Sequence, residues 1–206
     1  MGVVKRIRLD PAQRRDQLLE LGVKMLSLRG LEQISVDEIA KMAGISRGLL
    51  FHYFPSKRDF HVEIVRHSSN ELLQQLLPNP ELGPFDMLTD VMNRYVDYVT
   101  EHRDGYVSLL RGPASGDPEM RSIAEENRSV LVERILSNVP LGGADVTPRI
   151  RLAVRGWIAF VEEATLSWLN DPQLAREELV DLHVSSLPAV ALGPEIAAAL
   201  LGPSAS

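Results

Sequence analysis

The chain has 206 residues, with 22 Lys and Arg against 28 Asp and Glu, five His and no Cys. That length is enough for one sizeable domain or two small ones, and the lack of cysteine excludes a disulfide scaffold, a thiolate nucleophile and any Cys-ligated metal centre. No run approaches about 18 uninterrupted apolar residues, which excludes a membrane-spanning helix, and the start, Met1-Gly2-Val3-Val4-Lys5-Arg6, lacks the apolar core of a signal peptide, so a cytoplasmic protein is expected.

Apolar residues recur at helical spacing along the whole chain, and stretches that alternate like strands are few. Leu18, Leu19, Val23, Met25 and Leu26 form a stripe that ends near Arg29-Gly30, a basic residue and a glycine that together signal a helix stop. Ser35 to Glu38 reads as a capping box ahead of Ile39, Ala40 and Ala43. Gly44 breaks that short helix, and Ser46 caps the next, which carries Leu50 and Phe54 and stops before Pro55. A longer helix starts with Ser56 as its cap and runs to Leu76, ended by Pro78-Asn79-Pro80. Further helices are expected at 85–101, 106–110, 119–139 and 148–169, the last with Pro148 in its first turn. Pro172 is expected to open a final helix through Leu187. From Pro188 the Ala-, Gly- and Pro-rich chain reads as a weakly packed tail. The fold class is therefore all-α, about nine helices, with three short N-terminal ones and a C-terminal bundle. The expected domains are 1–67 and 68–190, with a tail at 191–206.

Residues 35–57 are the informative stretch: two short helices hinged at Gly44, which is a helix-turn-helix. Glycine permits the left-handed backbone that a steep crossing needs, and Ile39, Ala40, Ile45 and Leu50 are apolar where the helices meet. At about 100° per residue, Leu50 and Phe54 share one face of the second helix, while Gly48, Leu49, His52 and Tyr53 cover the opposite arc. An arc of that kind suits a DNA groove. Arg47 stands at the helix start, where recognition helices reach base edges, and Arg is the commonest bidentate partner of guanine. Ser35 and Ser56-Lys57 lie at helix N-termini that favour phosphate. Phe51 fits either the core or a backbone contact, and Leu49 either a thymine methyl or plain exposure. Charge agrees with a polyanion partner: residues 1–67 carry a net +4 and the remainder −10.

Catalysis finds no support. The adjacent acids Glu125-Glu126, Glu162-Glu163 and Glu177-Glu178 point about 100° apart on a helix. His61 and His67 miss the i, i+4 spacing of a metal pair, and no Gly-rich phosphate loop or Gly-x-Ser-x-Gly occurs. Neither an enzyme activity, a metal nor a cofactor is expected.

The segment 44–60, Gly-Ile-Ser-Arg-Gly-Leu-Leu-Phe-His-Tyr-Phe-Pro-Ser-Lys-Arg-Asp-Phe, resembles the signature of the TetR family of bacterial transcriptional regulators. The helix ahead of it, the chain length and the helical remainder agree. The resemblance implies a homodimer on a palindromic double-stranded operator, probed by paired recognition helices and released by a small molecule in the C-terminal bundle. By position it makes Ser35 a phosphate contact, Arg47, Gly48 and His52 groove-facing, and Tyr53 and Lys57 backbone contacts. Leu49 and Phe51 stand where members often carry Thr and Tyr, so two phosphate-reaching hydroxyls are absent. An apolar effector would be lined by Met87, Met92, Tyr95, Tyr106, Leu110, Trp157 and Phe160, with Arg94, His102, Arg128 and Glu163 as candidate polar handles. Helices 148–169 and 172–187 would form the dimer interface, with Trp168, Leu179 and Leu182 as candidates. The alternative is a DNA-binding helical dimer that acts without an effector.

Overall fold

A computed structural model of the chain describes residues 9–138 and 146–192. Those residues form nine α-helices and no strand: α1 Pro11–Leu26, α2 Val36–Ala43, α3 Arg47–Tyr53, α4 Lys57–Gln75, α5 Pro84–Glu101, α6 Arg103–Arg111, α7 Pro118–Asn138, α8 Pro148–Asn170 and α9 Arg176–Leu192, with 3-10 turns at Leu31–Gln33 and Pro113–Gly116. No helix among them is long and apolar enough to cross a membrane.

Local chemistry sets most boundaries. Asp10 closes a capping box on α1: its carboxylate accepts the Gln13 N–H at 2.9 Å and its own N–H donates to Gln13 Oε1 at 3.1 Å. Gly44 ends α2 at φ 66°, ψ 35°, and the Ile45 N–H reaches back to the Ala40 carbonyl at 3.0 Å, which closes a Schellman turn. Ser46 Oγ accepts the Leu49 N–H at 3.2 Å, Ser56 Oγ the Asp59 N–H at 3.1 Å, and Thr147 Oγ1 the Ile150 N–H at 3.3 Å.

Several expectations are corrected. Ser35 occupies the N-cap position of α2, but its hydroxyl makes no capping bond. Glu38, the other half of the expected box, is drawn away to Arg29 through two hydrogen bonds of 3.0 and 2.9 Å. The first helix is not short, with 16 residues. The last begins at Arg176 rather than Pro172, because the Leu174 carbonyl accepts the Trp168 indole N–H at 2.8 Å and Glu178 caps the Ala175 N–H at 2.8 Å. It also runs through Pro188 instead of ending there: Leu187 and Ala191 are buried on either side, and their burial outweighs the lost helical hydrogen bond. The tail beyond residue 192 and most of the expected 140–147 linker lie outside the described residues.

The described residues fall into two compact units, the first holding 9–68 together with Asp104–Met120, the second Ser69–Arg103, 121–138 and 146–192. Residues 104–120, expected within the 68–190 domain, pack in the first of these compact units. Within that unit Leu18, Leu50, Phe60 and Ile64 are fully buried, and the Phe54 and Phe60 rings sit 4.8 Å apart. At Gly105 the α6 backbone passes so close to α1 that a Cβ would lie 2.3 Å from the Leu26 carbonyl oxygen. Glu32 accepts from Ser108 Oγ and the Ala114 N–H, both at 3.1 Å. Arg58, at the start of α4, grips both Asp117 carboxylate oxygens at 2.8 and 2.9 Å, and the hydrogen bond from Arg58 pulls the Asp117 carboxyl down to about 2.

In the second unit α9 packs against α8 and α5. Val96, Val99, Val154, Trp157, Leu179 and Leu187 make its core. Arg176 fixes the start of α9 to α5, donating to Asn93 Oδ1 at 2.8 Å and Asp97 at 2.9 Å, and Arg128 joins α7 to α8 through Glu162 at 2.7 Å.

Candidate nucleic-acid interface

The face of α3 follows from how that helix is held. Leu50 and Phe54 are buried, so the opposite arc is turned outward: Arg47, Gly48, Leu49 and His52 are exposed and Tyr53 half-buried. The His52 and Tyr53 rings meet edge to face at 5.6 Å. Phe51, for which the sequence leaves core and backbone contact open, is half-buried with the Arg47 guanidinium 5.3 Å from its ring centroid. Arg47 also pairs with Asp37 of α2 at 2.9 Å. Lys57 is exposed, with its ammonium 3.4 Å from the Glu32 carbonyl. Ser35 is half-buried, and because it caps nothing its hydroxyl remains available to an incoming acceptor. Burial, with some help from the nearby Lys57 charge, pushes the His61 imidazole below its ordinary value, so His61 adds no positive charge here at neutral pH. Arg47 and His52 of α3, Lys57 at the start of α4 and Ser35 at the N-cap of α2 all lie in one unit.

The expected effector lining has members in both units. Tyr106 and Leu110 lie on α6 in the first unit, whereas Met87, Met92, Tyr95, Trp157 and Phe160 lie in the second. Met92, Tyr95 and Trp157 are core residues, Met87 is half-buried, and Phe160 is exposed. Three expected handles are already engaged. Arg94 binds Asp90 and the Leu77 carbonyl, His102 stacks on Tyr98 at 4.1 Å and bonds its carbonyl, and Arg128 holds Glu162.

Sequence reasoning missed His183. It is fully buried, its Nδ1 has no hydrogen-bond partner, and its Nε2 lies 3.4 Å from the Thr165 hydroxyl. The Tyr95 and Phe160 rings are each 6.4 Å from it, and Trp157 Nε1 donates to its carbonyl at 3.0 Å. Burial lowers its imidazole to about 4, so it is neutral. The signal was present: His183 falls four residues after Leu179 and four before Leu187, on the stripe that packs inward.

The interface candidates divide too. Leu182 is exposed and Trp168 half-buried, but Leu179 is 1% exposed. Leu179 therefore belongs to the chain's own core, because the inward stripe of α9 claims it.

Comparison with known proteins agrees with this geometry. Residues 18–64 match the family model described as bacterial regulatory proteins of the tetR family, and residues 84–190 match that of the tetracyclin repressor-like C-terminal domain. A solved structure of a tetR-family transcriptional regulator from Streptomyces coelicolor is 32% identical with a TM-score of 0.80, covering 93% of this chain and 85% of that one. An HTH-type transcriptional regulator of Mycobacterium tuberculosis is 24% identical across 87% of this chain and 78% of its own length. The HTH-type transcriptional repressor KstR2 of Mycolicibacterium smegmatis is 36% identical over 108 residues, 51% of this chain and 52% of that protein. A helix-turn-helix with an outward polar arc on α3, a helical second unit, and matches to both halves agree on one assignment: this chain belongs to the TetR family of bacterial transcriptional regulators, a DNA-binding and non-enzymatic class.

Proposed function

We propose that the protein is a repressor that binds a palindromic operator as a homodimer and is released by an apolar small molecule. The observation that carries the reading is the arc of α3 on which Arg47, Gly48, Leu49 and His52 are exposed while Leu50 and Phe54 anchor the helix from behind. In this reading Arg47 and His52 meet base edges, with Gly48 letting the backbone come close and Leu49 touching a thymine methyl. Ser35, Tyr53 and Lys57 hold phosphates and set register, and Phe51 supports Arg47 rather than touching DNA. Such a regulator works beside the chromosome, in the cytoplasm.

Homodimerisation is supported by the apolar side chains that α8 and α9 leave outside: Leu152 is 71% exposed, and Phe160, Leu182 and Val190 are also exposed. Trp168 joins them as a candidate anchor. Effector control is supported by His183, because a buried imidazole nitrogen without a partner costs about 1–3 kcal/mol and a ligand donor or a water would relieve it. The effector-free alternative is favoured by the engagement of Arg94, His102 and Arg128 within the second unit. The ligand shifts DNA affinity only by binding one arrangement of the recognition helices better than the other.

The test is a titration of the purified protein on duplex from its own upstream region and on random duplex at several salt concentrations. Preference of about 10³ or more for the upstream duplex supports the repressor reading. Weakening of that complex by a member of an apolar small-molecule library supports effector control, and equal binding to both duplexes rejects this operator.

A further inference from the structure

We infer that Asp37 is a specificity-determining residue of the DNA-binding face: it holds Arg47 so that the guanidinium offers a fixed edge to guanine, at the expense of affinity for DNA in general. Asp37 stands in the first turn of α2 and Arg47 opens α3. Arg47 donates from Nη1 alone to both Asp37 oxygens, at 3.2 and 2.9 Å. Nε and Nη2 make no hydrogen bond to the described residues, and they form one of the two-donor edges that match guanine O6 and N7. The Phe51 ring bounds the same guanidinium from a second direction. A long side chain with several free torsions is thus restricted by a carboxylate and an aromatic face together.

Fold stability does not account for the pair. Both partners are more than 60% exposed, at 61% and 64%, and an exposed ion pair contributes little to folding. The α2 N-terminus already has a second first-turn carboxylate in Glu38. Toward DNA the carboxylate acts on every duplex, because it repels phosphates whatever the sequence. Its benefit is confined to sequences that place a guanine against the fixed edge. An unrestrained Arg47 would reach phosphate as readily as base, and phosphate contacts carry no sequence information. Discrimination gained by weakening the wrong complexes more than the right one is specificity by difference.

The inference rests on the reading that Arg47 meets base edges, and the experiment separates the two. Wild type, Asp37→Asn, Asp37→Glu and Arg47→Ala each select duplexes from a random-sequence library, and each is titrated on the best wild-type duplex and on random duplex. Asp37→Asn is nearly isosteric and exposed, so its melting temperature should match wild type. The expected result is that Asp37→Asn binds random duplex several-fold tighter and relaxes base preference at the same position as Arg47→Ala, by on the order of tenfold, while Asp37→Glu retains that preference. Unchanged preference in Asp37→Asn, or equal shifts on both duplexes, overturns the role of Asp37 alone. Unchanged preference in Arg47→Ala overturns the reading beneath it.

Discussion

The surface around α3 and the seam between α8 and α9 solve opposite problems. Around α3 little is buried, Leu50 within the seven-residue helix and Phe54 at its C-cap, and Arg47, Gly48, Leu49 and His52 are left outside. Along the seam two long helices bury Val154, Trp157, Leu179 and Leu187, with His183 enclosed among them. Substitutions should therefore separate cleanly: those at the α3 surface change what the protein binds, and those at the seam change whether it stays folded.

The largest expected effect is at Trp157, where Trp157→Ala leaves a cavity and removes the indole donor to the His183 carbonyl and Ser186 Oγ, both at 3.0 Å. A loss of about 4 kcal/mol in urea denaturation is expected, with base preference unchanged in whatever protein remains folded. His183 comes next. Its folded value of about 4 lies below the ordinary 6.5, so the unfolded chain takes up the proton first. Stability is complete above about pH 6.5, falls as the pH drops toward 4, and is reduced by at most about 3 kcal/mol from this group. His183→Leu should flatten that acid limb in melts between pH 7 and 4, and an unaltered limb would place the titrating group elsewhere.

On the α3 side, Arg47→Ala should cost about 1–3 kcal/mol on a preferred duplex and far less on random DNA, with an unchanged melting temperature. Equal losses on both duplexes would move Arg47 from base to phosphate. Lys57→Ala should weaken all sequences alike and reduce the salt slope by about 1. The smallest contrast pits two serines against each other. Ser46→Ala removes a working cap and should cost about 1 kcal/mol of stability, whereas Ser35→Ala removes none and should leave the melt in place while weakening DNA binding. A melt lowered equally by both would make Ser35 a cap after all.

How legible each region was follows from the range of the interactions that build it. Gly44, Ser46, Leu50 and Phe54 act within a turn or two of themselves, so spacing alone exposed the helix-turn-helix and the arc opposite its core. Ser35 shows the limit even there: the box predicted with Glu38 fails because Arg29, from the preceding turn, competes for that carboxylate. The effector lining was read from Met and aromatic residues at helical spacing, a pattern that says a residue is on an inner face but not which neighbours share it. Tyr106 and Leu110 lie in the first compact unit and the other members in the second.

By itself the sequence determined the all-helical class, the position of the recognition helix and the residues on its outward arc. Caps, a left-handed glycine and the i, i+4 repeat are local devices that act mainly within a turn or two of their own residues. Only the tertiary structure decided that 104–120 shares a compact unit with the helix-turn-helix, that α9 continues through Pro188, that Leu179 and His183 are buried, and that Asp37 meets Arg47. The reason is common to all four: each depends on what a distant segment covers or pairs with, and burial can override a local preference.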